Sequence, residues 1–227
     1  RSALEEFQPD LLIVDKVPCG AFGEMLSALE LLRQTKGTRC VLGLRDVMDD
    51  VSTVRREWLT DRSVATIDEC YDSVWVYGDQ NVYDPVSEYG LPASVAAKVR
   101  FTGYLDQSIR LKLTGRAPAP EVDGRDTPSV ACVVGGGQDG ATIAEAFAAA
   151  LPVDGVEGTV LAGPFMPRES LRILHQCAAR RKNLNVVQFT PEADLIMQRA
   201  DRIVAMAGYN TVCSILSYRK RALVIPR

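Results

Sequence analysis

A chain of 227 residues is long enough for one large domain or two modest ones, each with a core of its own. Hydrophobic residues at 47% and charged residues at 24% match the globular average, which excludes a disordered chain, and no apolar run approaches the roughly 20 residues that a membrane-spanning helix needs. The net charge of -3 offers no clustered basic face for nucleic acid, and a start without a basic segment leading into an apolar one points to the cytoplasm. In chain order, short apolar runs predict strands at Leu11 to Asp15, Cys40 to Leu44, Val74 to Tyr77 and Val99 to Thr102. Further runs follow at Ser129 to Val134, Gly158 to Ala162, Asn185 to Phe189, Arg202 to Met206 and Ala222 to Ile225. Many are continuously apolar, as strands covered on both faces are. Between them, helical spacing marks Glu24 to Gln34, Ile143 to Leu151, Arg168 to Arg181, Ala193 to Arg199 and Thr211 to Tyr218. Alternation of this kind is the signature of βαβ units, so the expected class is α/β with parallel sheets.

One stretch breaks the rhythm. Thr114 to Pro128 is rich in proline, glycine and charge and has no apolar period, as a linker or exposed insertion would be. The domain boundary is placed just before it, between Gly103 and Gln107, giving units 1–105 and 106–227. Because doubly wound domains usually carry more strands, both units are expected to be incomplete in this chain.

Six cysteines are scattered singly, without a CxxC pair, and several sit in apolar runs, so neither a zinc site nor a disulfide framework is expected. The single histidine, His175, lies among helix formers and reads as a helical surface or half-buried residue. Arg180, Arg181 and Lys182 form the densest basic cluster, and a solvated helix end is the economical explanation.

The sharpest signal is GGGQDGATIAEAF, Gly135 to Phe147, directly after a strand. Consecutive glycines let backbone amides approach a bulky anion, and the following helix turns its positive end to the same place. The pattern is neither GxGxxG nor a Walker loop, which disfavours nicotinamide and P-loop chemistry. A tight strand-to-helix turn also demands glycine. A second loop, MAGYNTVCSIL, puts Gly208, Tyr209, Asn210 and Thr211 at another strand end, where hydroxyl and amide groups either cap the next helix or meet a ligand. Phe189, at the end of a third strand, is equally suited to the core and to the side of a base.

These segments resemble a known family. The order of a strand, GGGQDG, a strand ending at Gly163 and Pro164, VVQFTPEADLIMQRAD, MAGYNTVCSIL and KRALVIPR is similar to the C-terminal domain of GT-B glycosyltransferases of family 28, from about Ser129 to Arg227. LGLRDVMDD, WVYGDQNVYD and VRFTGYL extend the likeness to a bacterial branch of glycosyltransferases. The resemblance implies two Rossmann-like domains, an acceptor side in residues 1–105 and a nucleotide-sugar donor side in 106–227. It implies that Gly135, Gly136, Gly137 and Gln138 approach the donor diphosphate, that Phe189 holds the base, and that Gly208, Tyr209, Asn210 and Thr211 border the phosphates and ribose. Ser214 departs from the pattern, because family members commonly carry an acidic, ribose-binding side chain there.

The implied activity is inverting transfer of a sugar from a nucleoside-diphosphate sugar, of the UDP type, to an acceptor hydroxyl that the sequence does not identify. The general base is expected outside this chain, which would leave the fragment inactive alone. Neither a cofactor nor a metal ion is expected, and peripheral contact with a membrane stays open. On the acceptor side the candidates are Asp15 and Glu24 in DKVPCGAFGEM, and Arg45 and Asp46 in LGLRDVMDD. Asp49 and Asp50 read as a helix start. Two alternatives remain: a sugar-nucleotide epimerase, for which acidic residues such as Asp15, Glu24 and Asp46 should converge on the sugar, and a nucleotide-sugar-binding module without chemistry.

Overall fold

The computed structural model describes residues 2–35, 37–113 and 127–226. Most of the Thr114 to Pro128 stretch lies outside the described residues. The chain divides into two compact units, Arg1–Leu105 and Asp106–Arg227.

The first unit contains α1 (Ser2–Phe7), β1 (Leu11–Asp15), α2 (Leu26–Thr35), β2 (Arg39–Arg45) and α3 (Val51–Thr53), which runs into a π-helical turn at Val54–Trp58. α4 (Asp61–Cys70), β3 (Ser73–Tyr77), α5 (Pro85–Tyr89), α6 (Ala93–Lys98) and β4 (Val99–Phe101) complete it. Its four strands are all parallel, in the order β1-β2-β3-β4. Period-2 alternation sends Leu12, Val14, Leu42, Leu44, Val74 and Val76 to one face, where they join Leu29 and Leu32 of α2 and Ile67 of α4 in a single core. Three short helices have starts legible in the sequence, and that of α3 is the helix start expected at Asp49 and Asp50. Asp50 caps α3 by accepting from Thr53 N at 3.0 Å, Thr60 caps α4 by accepting from Ser63 N at 3.2 Å, and Asp84 caps α5, where Pro85 opens the first turn. They are short or polar, so their caps outweigh their apolar period.

The second unit contains α7 (Ser108–Leu113), β5 (Ser129–Val133), α8 (Ala141–Ala150), β6 (Glu157–Leu161), α9 (Arg168–Arg180), β7 (Leu184–Val187), α10 (Ala193–Arg199), β8 (Arg202–Met206), α11 (Tyr209–Ser217) and β9 (Arg221–Ile225). The sheet is parallel, ordered β7-β6-β5-β8-β9. The chain therefore winds outward from β5 through β6 to β7, then returns to the far side of β5 as β8. Two cores follow from this path. Cys132, Val160 and Leu184 pack with Ala144 and Ala148 of α8 and Leu174 of α9, while Ala131, Val133, Leu161 and Ala205 pack with Met197 of α10 and Ile215 of α11. The sheet is thus sandwiched between helices, the doubly wound arrangement.

Two strands differ from the expectation of cover on both faces. Leu11 and Ile13 of β1 are each 45% exposed, and β9 is exposed along most of its length. Each ends its sheet and has a strand neighbour on one side only among the described residues.

Candidate functional site

In the second unit a cleft of about 340 Å³ opens at the carboxyl ends of the strands. Its wall collects Gly135 after β5, Gly163 and Pro164 after β6, Gln188, Phe189 and Thr190 after β7, and Asn210, Thr211 and Ser214 from α11. These loops meet because β5 and β8 are neighbours although several elements of winding separate them in sequence. Open α/β sheets bind ligands at this reversal of strand order, where loops to either side diverge and leave a crevice.

The glycine loop has two parts with different duties. Gly135 adopts φ 61° and is exposed, and a Cβ built on it would meet nothing within 4 Å. At Gly136 the same construction reaches only the Phe165 ring, 3.5 Å away. Gly137 is different. It is buried at φ 90°, its amide donates to Val134 O at 3.2 Å, and a Cβ there would fall inside contact distance of the Ala162 carbonyl oxygen and 2.9 Å from Met166 N. The loop after β6 returns the contact, with Phe165 N donating to Gly136 O at 2.9 Å. Gly137 thus serves packing and turn closure, and its N–H is engaged within the turn.

α8 follows the glycine turn, and α11 starts in the wall of the cleft. α8 is capped by Gly140 and α11 by Gly208, and neither has a side-chain cap hydrogen bond. Because the first amides of a helix lack intrahelical partners and carry its positive end, both starts favour an anion. Asn210 and Thr211 fall inside the first turn of α11 rather than at its cap, so ordinary capping does not account for them. Gln138, Gly208 and Tyr209 lie on the flanking loops and are not among the residues lining the cleft. Gly208 N donates back to Met206 O at 2.8 Å.

On the opposite wall Phe189 is 71% exposed, which removes the core-packing explanation for it. Ser214, only 6% exposed, hydrogen-bonds through Oγ to Asp194 Oδ1 at 3.3 Å. Asp194 and Gln107 are lining residues that the sequence reading missed. Gln107 is carried there by its backbone: its N–H donates to Ser217 Oγ at 2.9 Å and its carbonyl accepts from the Tyr218 hydroxyl at 3.5 Å. No local pattern marks it. Asp194 has a weak signal, a carboxylate in the first turn of a helix directly after a strand end, but helix electrostatics account for the same letter.

The acceptor-side candidates all belong to the first unit. Asp15 ends β1 and is exposed, while Arg45 ends β2 and is half-buried. Glu24 folds back on its own loop, accepting from Phe22 N at 2.7 Å and Ala21 N at 3.1 Å. Those amides hold its carboxyl below the ordinary carboxylate range, with Phe22 the largest contributor. Asp46 is 4% exposed and accepts from the Tyr104 hydroxyl at 2.7 Å and from Val47 N at 2.8 Å. Both carboxylates are therefore committed to the architecture of their own unit. Of the remaining sequence features, His175 is exposed on α9, and Arg181 closes the end of α8 by donating to the carbonyls of Ala148 and Leu151 at 2.8 and 2.9 Å. The basic cluster is a helix end. Among the described residues no group of His, Cys, Asp or Glu is arranged to hold a metal ion, and no helix is long and apolar enough to cross a membrane.

Residues 130–227 match the family model described as the glycosyltransferase family 28 C-terminal domain. The match covers the second unit from β5 onward. Among solved structures, this chain is similar to the glycosyltransferase of kitacinnamycin, with 16% identity and a TM-score of 0.55 over 100% of this chain and 60% of the other. It also resembles MurG of Acinetobacter baumannii, with 15% identity and a TM-score of 0.53 over 100% of this chain and 55% of the other. A UDP-GlcNAc 2-epimerase from Neisseria meningitidis, solved bound to UDP-GlcNAc, has 14% identity and a TM-score of 0.59 over 98% of this chain and 60% of that one. Identities this low establish a shared fold. The chain spans about 60% of the length of these structures. No curated protein matches the sequence. The matched residues carry the doubly wound sheet, most of the cleft at its reversal point and both glycine-capped helices.

Proposed function

We propose that this chain is the larger part of a glycosyltransferase that uses a nucleoside-diphosphate sugar, and that the cleft of the family 28 domain receives the donor. The observation that carries the reading is the meeting in one cleft of the open turn at Gly135 with the first turn of α11, which has no side-chain cap, at the point where strand order reverses. Such a rim attracts paired phosphates by amides and helix ends, each end contributing about 0.3–1 kcal/mol. Gly135, Gly136 and Gln138 approach the diphosphate, Gly208, Tyr209, Asn210 and Thr211 border it, and Phe189 supports the base. Gly137 shapes the turn without contacting the ligand.

In the reaction the acceptor oxygen bonds to the anomeric carbon from the face opposite the donor phosphate, the carbon–oxygen bond to that phosphate breaks, and configuration inverts. A general base takes the acceptor proton. The leaving diphosphate keeps the bonding electrons, and the amides of the rim stabilise the charge it gains, so no metal ion is required. The first unit supplies the acceptor side, with Asp15 and Arg45 at the carboxyl ends of its strands. The epimerase alternative is disfavoured by the structural engagement of Glu24 and Asp46. Six free cysteines accord with a reducing, cytoplasmic setting.

Calorimetric titration with UDP, GDP and the corresponding monophosphates tests the reading. A diphosphate is expected to bind more tightly than its monophosphate, and Gly135→Ala is expected to weaken that binding at least about tenfold, by placing a methyl group where phosphate approaches. Absence of heat with every nucleotide would remove the reading.

A further inference from the structure

The first unit ends at Leu105 and the second begins at Asp106. On the near side the chain is fastened closely. After β4, Thr102 N donates to Val76 O at 2.9 Å and Gly103 N to Gly78 O at 3.1 Å, which holds the exit of β4 against that of β3. The next residue, Tyr104, donates its hydroxyl to Asp46 Oδ2 at 2.7 Å. Asp46 is 4% exposed, accepts also from Val47 N at 2.8 Å and lies against Gly78, where an added Cβ would stand 2.7 Å from its own. Withdrawing a partner from a buried carboxylate leaves a desolvated acceptor, so the Tyr104 hydroxyl is pinned to the carboxyl end of the sheet. On the far side fastening begins at once. Asp106 Oδ1 accepts from Ser108 N at 2.8 Å at the start of α7, Gln107 N donates to Ser217 Oγ at 2.9 Å, and Gln107 O accepts from the Tyr218 hydroxyl at 3.5 Å. Ser217 Oγ in turn donates to Cys213 O at 2.7 Å, which seats this anchor on α11. Each of these bonds joins residues of one unit. Leu105 stands between the two sets, 42% exposed, and no backbone hydrogen bond among the described residues involves it.

We infer that Leu105 is the hinge of this chain, and that Asp46, acting through Tyr104, is the positioning residue that fixes where the first unit ends. A hinge is a short run of residues that absorbs changes in φ and ψ while its flanks move as rigid bodies. Clamps one residue to either side confine that change to the few dihedrals around Leu105. The arrangement gives a role to a buried acid that the proposed chemistry does not use: Asp46 holds the chain rather than a ligand. The second clamp also borders the cleft, because Gln107 is one of its lining residues. Hinge and cleft therefore share one short run of backbone, and an occupant of the cleft meets the residue two positions beyond Leu105. The inference requires no particular ligand and stands apart from the donor reading.

Amide hydrogen exchange resolved residue by residue, with backbone nitrogen relaxation, tests the inference on the whole chain. In the wild type the Leu105 amide should exchange at least about 100-fold faster than those of Gly103 and Gln107, which are hydrogen-bonded. Tyr104→Phe keeps the ring and removes the bond to Asp46. It should speed exchange at Gly103 by about 10–100-fold, leave the amides of β2 and β3 unchanged, and shorten the rotational correlation times of both units as they reorient more independently. Leu105→Gly widens the range of φ at the hinge itself, and should shorten the same correlation times with exchange inside either unit unaltered. A Leu105 amide that exchanges as slowly as Gly103 and Gln107 overturns the inference in the wild type, before any variant is made. Correlation times unchanged in Leu105→Gly overturn the hinge as well. Faster exchange throughout β2 and β3 in Tyr104→Phe overturns the positioning role of Asp46, because the bond would then hold the unit together rather than the chain that leaves it.

Discussion

Alanine at Gly135 and at Gly137 tests the proposal that the first glycine faces a ligand while the second serves packing. Both residues have positive φ, 61° and 90°, so either substitution incurs the left-handed penalty of about 1–2 kcal/mol. At Gly135 the added methyl meets nothing within 4 Å, and the cost ends there. At Gly137 it collides with the Ala162 carbonyl and sits 2.9 Å from Met166 N. Backbone atoms cannot swing aside as a side-chain tip can, so an overpacking cost of about 1–3 kcal/mol is added, about 2–5 kcal/mol in all. For a unit of this size 1 kcal/mol shifts the melting midpoint by about 4 °C, which predicts a fall of about 4–8 °C for Gly135→Ala and about 8–20 °C for Gly137→Ala. Both tryptophans, Trp58 and Trp75, belong to the first unit, so their fluorescence follows the wrong transition. Thermal denaturation should instead be followed by hydrogen exchange in peptides spanning β5 and β6. Nucleotide binding should show the opposite order at temperatures where both variants are folded, with Gly135→Ala the more impaired. Equal melting shifts, or stronger loss of binding in Gly137→Ala, would refute the division of labour in the turn.

Further outcomes follow from other parts of the molecule. Lys98→Met removes an ammonium that donates to the carbonyls of Ile67, Asp68 and Tyr71 at 2.7 to 2.9 Å, and should cost the first unit about 1.5–3 kcal/mol in urea unfolding followed by tryptophan fluorescence. The Glu24 carboxyl is held below its ordinary value of 4.5 by the amides of its own loop, so its contribution is fully present above that pH and is lost as pH falls through the lower folded value. Phe22 and Ala21 amide resonances should shift in that acid window and stay unmoved in Glu24→Gln. Burial pushes the thiol of Cys132 up to about 12, and burial aided by the charge of Asp72 pushes that of Cys40 up to about 11. Both should resist a disulfide reagent at pH 8 until denaturant is added, as read by mass spectrometry of labelled peptides.

Each of the nine strands among the described residues is legible from composition, because a parallel strand is a short apolar run and the turns after it must contain residues that leave the ladder. Helices with a broad apolar face, such as α9, were equally plain, whereas α4, α5 and α6 were not. Their identity depends on caps and on packing against β3, and a five- or six-residue segment carries too little period to reveal itself. Gly135 and Phe189 were legible as residues lining the cleft because each follows a strand end. Asp194 and Gln107 were not, since their place is set by partners at Ser214 and Ser217, far away in sequence.

Sequence alone determined the class of architecture, the location of the glycine turn and the family likeness, all of which depend on neighbours within a few positions of one another. Tertiary structure alone decided that a side chain at Gly137 would meet backbone, that Glu24 and Asp46 are held within their own unit, and that a carboxylate from α10 meets a hydroxyl from α11. The reason is physical: periodicity and turn chemistry are local properties of the chain, while the contents of the cleft depend on the order in which strands pair, and the return of β8 to the side of β5 brings together residues that no local pattern connects.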